Sequence, residues 1–287
     1  IHLPDFFQWG TRTYVMGVIN VTPDSFSGDG LGSEDNPVHV AVALGKQFVA
    51  EGADLLDVGG ESTQPGAKPV AANIESRRVT PVIQALAESV DVPISVDTSK
   101  ASVAQAALSA GASIVNDIWG LKHDSGLADV VATQGAAVIL MHNRSDSDEA
   151  TTDKRLGGRY VGSEYDALLA DIRRELEESI ALARAAGIQN EKIILDPGIG
   201  FGKTVEQNRR LINELGNLKQ LGYPLLIGPS RKSFIGYTLD LPLEERIEGT
   251  AAAVAVGITR GADIVRVHDV RAMARVARMT DALVHFA

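Results

Sequence analysis

Arg266 and His268 stand one residue apart at the end of a β-branched apolar run, and Ser230-Arg231-Lys232 closes another. Residues two apart on a strand point to the same face, so a guanidinium and an imidazole at these positions can grip a diphosphate together. Further runs end on Asp97, on Asn116-Asp117 and on Asp196. A carboxylate accepts two parallel hydrogen bonds and so matches a heterocycle edge that offers a ring N–H beside an exocyclic amine, while Asn supplies both donor and acceptor. Such groups fit a guanine-like or pterin-like ring better than a sugar. Met141, near the end of another run, is either an apolar wall under that ring or an ordinary core methionine. Two structural alternatives stand beside these readings. Arg266 and His268 can be interior packing with an acidic neighbour, and any one of the acids can bind only backbone amides, Arg231 or Lys232.

To bring these side chains together, the elements that carry them must share one face. Eight apolar runs stop on a polar residue, at Asn20, Asp57, Asp97, Asp117, His142, Asp196, Ser230 and His268. They predict strands over 14–20, 54–59, 93–97, 113–117, 137–142, 192–196, 224–230 and 263–268. Helical spacing falls between them over 38–51, 72–89, 101–110, 126–134, 164–186, 205–221 and 245–260, with 270–286 closing the ring. Glycine just past several helices, at Gly52, Gly111, Gly135, Gly187, Gly222 and Gly261, supplies the left-handed conformation that ends them. Strand and helix alternating in this number predict a single-domain (β/α)8 TIM barrel, whose strand C-termini open onto one catalytic face. Its loops are unequal. The long polar segments 21–37, 60–70 and 143–162 read as loops, the first two as lids over the mouth.

The 287 residues suit one such barrel, and the composition, 45% hydrophobic with 5% aromatic, predicts a core of Ala, Val, Ile and Leu. The formal net charge of -10 argues against a nucleic-acid partner. There is no cysteine, so thiolate metal ligation and disulfides are excluded and a reducing cytoplasm is the expected location. Neither a signal peptide over residues 1–9 nor a membrane span is expected.

The six histidines have no zinc spacing. A metal, if used, is expected to be hard and oxygen-liganded, namely Mg2+ carried on phosphate oxygens with Asn20 offering one carbonyl oxygen. Residues 197–204 (PGIGFGKT) look like a phosphate loop but fail both glycine patterns. They read instead as a flexible hinge that presents Phe201 to the ligand.

Taken in order, residues 15–26 (VMGVINVTPDSF), 57–63 (DVGGEST), 95–98 (SVDT), 116–118 (NDI), 195–198 (LDPG), 230–233 (SRKS) and 266–269 (RVHD) resemble the signatures of the dihydropteroate synthase family. The resemblance implies that the chain joins para-aminobenzoate to 6-hydroxymethyl-7,8-dihydropterin diphosphate with release of pyrophosphate. It places Asp97, Asn116, Asp196 and Lys232 on the pterin with Met141 against its face. Arg266, His268, Thr63 and Asn20 fall on the diphosphate, with Asn20 also touching Mg2+. Phe26, Pro65, Phe201 and Ser233 shape the aminobenzoate pocket. It implies a homodimer as well.

One position departs from the pattern: Gln64 stands where the family usually has arginine. Losing that cation is expected to weaken any charge-assisted bond from the second loop to pyrophosphate or to the first loop, each worth about 1.5–3 kcal/mol when charged. Three other readings use parts of the same residue set. A methyltetrahydrofolate-binding domain of a corrinoid methyltransferase would not need the diphosphate grip. An aldolase would use Lys232 as a Schiff-base nucleophile, and a pterin-binding paralogue would have lost turnover.

Overall fold

Each of the eight apolar runs becomes a parallel strand, most of them shorter than the run itself. The computed structural model describes residues 6–22, 36–64, 66–145, 150–160 and 162–284. In chain order the strands are β1 (Tyr14–Asn20), β2 (Leu55–Gly59), β3 (Ile94–Asp97), β4 (Ile114–Asp117), β5 (Ala137–Met141), the hairpin strands β6 (Ala150–Asp153) and β7 (Gly157–Tyr160), then β8 (Ile193–Asp196), β9 (Leu226–Ile227) and β10 (Ile264–Val267). The helices are α1 (Pro37–Glu51), α2 (Ala72–Ala87), α3 (Ala101–Ser109), α4 (Leu127–Gln134), α5 (Leu168–Ala185), α6 (Val205–Asn213), α7 (Ser233–Leu239), α8 (Ile247–Thr259) and α9 (Val270–Val284).

The sheet runs β8-β5-β4-β3-β2-β1-β10-β9. A parallel bridge between Leu195 and Leu225 joins its two edges and closes the ring. All six glycines expected to end helices have positive φ. At Gly52, φ is 106° and the amide N–H turns back to the Phe48 and Val49 carbonyls, a geometry that a Cβ would strain.

Two apolar cores follow from the period of two along each strand. Outward side chains such as Leu56, Val58, Val96, Leu140 and Leu195 pack beneath the helices. Inward ones, among them Met16, Leu55, Ile114, Ile139, Ile194 and Ile264, fill the floor of the barrel together with Phe7 and Tyr14.

The architecture departs from the sequence pattern in four places. The run 224–230 keeps only two strand residues, since Gly228 and Pro229 follow and proline has no N–H for a ladder. Helix 205–221 breaks after Asn213 into a 3-10 segment, Leu215–Leu221, that contains the weak helix formers Gly216 and Asn217. A short helix, α7, stands where none is expected. Finally, the loop 143–162 folds in part into the antiparallel pair β6–β7, whose turn is tied by the Asp153 carboxylate, which accepts from the Arg155 and Leu156 amides at 2.8 and 2.7 Å. Among the described residues no helix is long and apolar enough to cross a membrane.

Candidate functional site

On five of the strands, moving two residues up from the floor exchanges an apolar side chain for a polar one or for methionine. Leu55 gives way to Asp57, Ile114 to Asn116, Ile139 to Met141, Ile194 to Asp196 and Ile264 to Arg266. Strand register completes the ring by pairing Asp97 with Asn116 and Met141 with Asp196. Met141 is buried yet belongs to neither apolar core, which favours the ligand wall over the core residue.

Arg266 is the hub. Its Nε donates to Asp57 at 2.6 Å and its Nη2 to Asp97 at 2.8 Å. Asn116 Nδ2 donates to the same Asp57 oxygen at 3.1 Å. The acidic neighbour weighed as an alternative therefore exists, in the form of Asp57 and Asp97. These contacts engage one N–H from each of two nitrogens and leave further guanidinium donors for an anion. Burial works against the charge of Arg266, but Asp57 and Asp97 outweigh it and raise its pKa. Asp97 is itself pushed up by burial, with Arg266 opposing.

Asp196 is buried, which raises its pKa against the pull of Lys232, and it accepts from the Gly198 amide at 2.7 Å. Lys232 is lowered to about 8, by burial first, with Asp196 opposing. Its ammonium donates to the Ile199 carbonyl and lies 4.5 Å from the centre of the Phe201 ring. The bland alternative describes Asp117, whose carboxylate is fully buried and accepts from Ser99 and from the Trp119 and Leu121 amides.

His268 lies just past β10. The Ser230 hydroxyl accepts from its amide at 3.2 Å and faces its Nδ1 at 3.0 Å. A hydroxyl oxygen that accepts from the amide can still donate its own proton to Nδ1, which leaves the ring hydrogen on Nε2. Burial lowers the imidazole to about 4, with Arg266 and Arg231 adding to the effect. His268 is therefore a neutral N–H donor at neutral pH. Arg231 is occupied by Asp269, at 2.8 and 2.5 Å.

The hinge expected after β8 is instead a tied loop. Lys203 is buried and donates to the Gly198 and Phe201 carbonyls, each at 2.9 Å, and to His142 Nδ1 at 3.1 Å. His142 passes the chain on to Glu175 at 3.0 Å, and Glu175 pairs with Arg144. Gly200 is fixed by Asn208, which accepts its N–H at 2.6 Å. Phe201 thus reaches the mouth on a braced loop.

Of the other expected residues, Asn20 is exposed at the tip of β1, Thr63 is half-buried after β2, and Ser233 begins α7. Phe26 and Pro65 lie outside the described residues. Four residues of the site went without a role in the sequence reading. Asp57 and Ser230 were visible as strand ends, Lys203 was hidden inside a failed phosphate-loop pattern, and Tyr160 carried no signal.

The profile of the family described as pterin binding enzyme matches residues 16–268. The chain is 49% identical over 279 residues to a curated dihydropteroate synthase of Clostridium beijerinckii, covering 97% of each sequence. Its fold matches a crystal structure of dihydropteroate synthase from Clostridium difficile in the presence of pteroic acid, with TM-score 0.87, 46% identity, and coverage of 96% of this chain and 98% of that one. It also matches the Xanthomonas albilineans dihydropteroate synthase with 4-aminobenzoic acid, at TM-score 0.87 and 41% identity over 96% of this chain and 94% of that one.

Proposed function

The chain belongs to the pterin-binding enzyme family, among its dihydropteroate synthases, and from that premise we infer how its residues divide the reaction. Para-aminobenzoate displaces pyrophosphate from 6-hydroxymethyl-7,8-dihydropterin diphosphate to give 7,8-dihydropteroate. Asp196 takes the ring N–H and exocyclic amine of the pterin, Asp97 and Asn116 take its other edge, and Met141 lies against its face. The ligand's donors favour the ionised carboxylate and so reverse the upward pull of burial. Lys232, whose charge favours the ionised form of Asp196, caps the ring from the side of Phe201.

Catalysis is electrostatic. As the C–O bond breaks, the bonding pair leaves with pyrophosphate, and the charge developing there meets the remaining donors of Arg266, the Nε2–H of His268 and Thr63. Asp57 holds the guanidinium in place, so little reorganisation accompanies the step. The arylamine nitrogen then forms the C–N bond, and its surplus proton passes to the released pyrophosphate. Phe201 and Ser233 shape its pocket, and the family resemblance adds Phe26 and Pro65 to it.

Asn20 is the residue suited to holding Mg2+. Its side-chain oxygen lies at the mouth, 3.8 Å from where a Cβ on Gly59 would stand. The described residues contain no cluster of three or more acids or histidines fit for a metal, which suits an ion that arrives with its phosphate ligands and keeps its waters. When bound, it would neutralise charge on the leaving diphosphate.

We also read the enzyme as a cytoplasmic homodimer. The lack of cysteine suits a reducing compartment, and the exposed Val256 on α8 and Met279 on the adjoining α9 suit a subunit interface.

The observation that carries the reaction is the placement of Arg266 between Asp57 and Asp97, beside Asn116 and beneath His268. Incubation with the pterin diphosphate, para-aminobenzoate and Mg2+ should release pyrophosphate and dihydropteroate in equal amounts. Pyrophosphate release without dihydropteroate, or no turnover at all, would overturn the assignment.

A further inference from the structure

The hairpin β6–β7 touches the Phe201 loop, the loop after β2 and α7 with its surroundings, three described segments that frame the arylamine end of the site. Tyr160, the last residue of β7, stacks on Phe201 with ring centres 6.2 Å apart and planes at 28°. Its hydroxyl donates to the Thr63 carbonyl, in the loop after β2, at 3.3 Å. The other end of the hairpin is bound to α7 and its surroundings. The buried Arg246 donates from Nη2 to the Leu156 carbonyl at 2.8 Å, and Arg155 pairs with Asp240, just past α7. The Arg159 guanidinium lies 4.5 Å from the centre of the Tyr237 ring, one turn along the helix that Ser233 begins. Between them a cavity of about 170 Å³ is lined by Arg159, Tyr160, Thr204, Asn208, Ser233 and Phe234.

A two-stranded hairpin is marginal in water when it has no packed face, and every residue of these two strands is exposed or half-buried. The ties to Phe201, Thr63, Arg246 and Asp240 are therefore what fix it, and through the same ties it fixes the walls of the pocket. Tyr160 is the one aromatic side chain of the two strands, and it lies on Phe201, which the reaction assigns to the arylamine.

We propose that the hairpin is a pre-formed wall of the arylamine pocket and that Tyr160 is a specificity-determining residue. Its ring sets the width of the slot beside Phe201, and its hydroxyl holds the loop after β2 at Thr63. The ligand class this wall selects is a flat, single-ring arylamine, and the pterin half of the site lies beyond its reach. The proposal rests on the synthase reading above.

The test is steady-state kinetics on the full chain with both substrates varied. Tyr160→Ala should raise the KM for para-aminobenzoate about tenfold while leaving kcat and the KM for the pterin diphosphate within about twofold. Tyr160→Phe keeps the ring but not the bond to Thr63, so it should restore most of the loss. Should the alanine variant not fold, Tyr160→Leu, which keeps bulk without a flat face, is read in the same way. Equal increases in both KM values, or an unchanged KM for para-aminobenzoate, would overturn the proposal. If the unmodified protein makes no dihydropteroate, the synthase reading itself fails; an active parent with indifferent Tyr160 variants sinks only this inference.

Discussion

Two residues of chain separate the floor of the barrel from its mouth, and the two layers follow opposite rules. On the floor, Leu55, Ile114, Ile139 and Ile264 are fully buried against one another, so burial and packing both stabilise the fold. In the mouth, Asp57, Asn116 and Asp196 are nearly as dry, but there burial opposes the ionisation of Asp196. Asp57 Oδ1 is buried with no hydrogen-bond partner among the described residues. Arg266 and the acids recover part of that desolvation cost by pairing, yet a buried ion pair commonly contributes less than apolar residues of the same volume. Stability therefore resides in the lower layer, while the upper layer gives some of it up to hold charges where a ligand will meet them.

Strand β8 offers the sharpest way to break that contrast, because Ile194 and Asp196 are neighbours on the same face. Asp196→Asn keeps shape while removing the charged double acceptor, so pterin affinity should fall at least about 100-fold, as two charge-assisted bonds of ~1.5–3 kcal/mol each imply. Stability at neutral pH should hold or rise, since burial already raises the pKa of Asp196 and the ionised form is the costly one. Ile194→Ala should do the reverse, costing about 2–5 kcal/mol of stability with kcat/KM little changed. Calorimetric titration with a pterin and urea denaturation of both variants decide the matter. If both substitutions move both quantities alike, the layers are not separable.

A smaller effect concerns His268 and His142. Burial lowers His268 at the mouth and His142 behind it to about 4 each, from an ordinary 6.5. Between those values the unfolded chain binds more protons than the folded one, so this contribution is full above pH 6.5 and is lost as pH falls toward 4. At pH 5 each histidine should cost on the order of 1–2 kcal/mol relative to pH 7. Asp97, raised by burial, pulls the opposite way across part of this range, so the variants carry the test more cleanly than the raw profile. Replacing either histidine with glutamine should flatten the fall in urea midpoint between pH 7 and pH 5. An unchanged slope in both variants would show that neither ring is held neutral by the fold.

Much of this layout could be read from the sequence, because a strand's period of two is rigid and each run stops on a polar residue. Asp97, Asn116, Asp196 and Arg266 are legible in that way and do converge. Asp57 ends its apolar run in the same manner, but a single sequence does not say which strand-end acid faces a ligand and which holds a cation for it. Lys203 is buried through contacts to carbonyls on its own loop, and backbone acceptors leave no trace in side-chain spacing. The hairpin is not legible as strand because Ala150-Thr151-Thr152-Asp153 and Gly157-Gly158-Arg159-Tyr160 show no alternation of apolar and polar residues. Its order comes from long-range contacts. At α7, seven residues are too few for a helical period to register.

The smallest expected effect is at Gln64, where the family resemblance calls for arginine. The position is exposed, and its neighbour Thr63 is already held through its carbonyl by Tyr160. A guanidinium restored there would act across solvent, where an ion pair is typically worth about 0–1 kcal/mol and is screened by salt. Gln64→Arg should therefore raise kcat/KM by no more than about fivefold, less than the loss at Tyr160, and the gain should shrink in high salt. Kinetics at low and high ionic strength measure both quantities. A larger, salt-resistant gain would mean that the charge of the loop after β2, rather than the hairpin wall that Tyr160 provides, limits how well the mouth holds its second substrate.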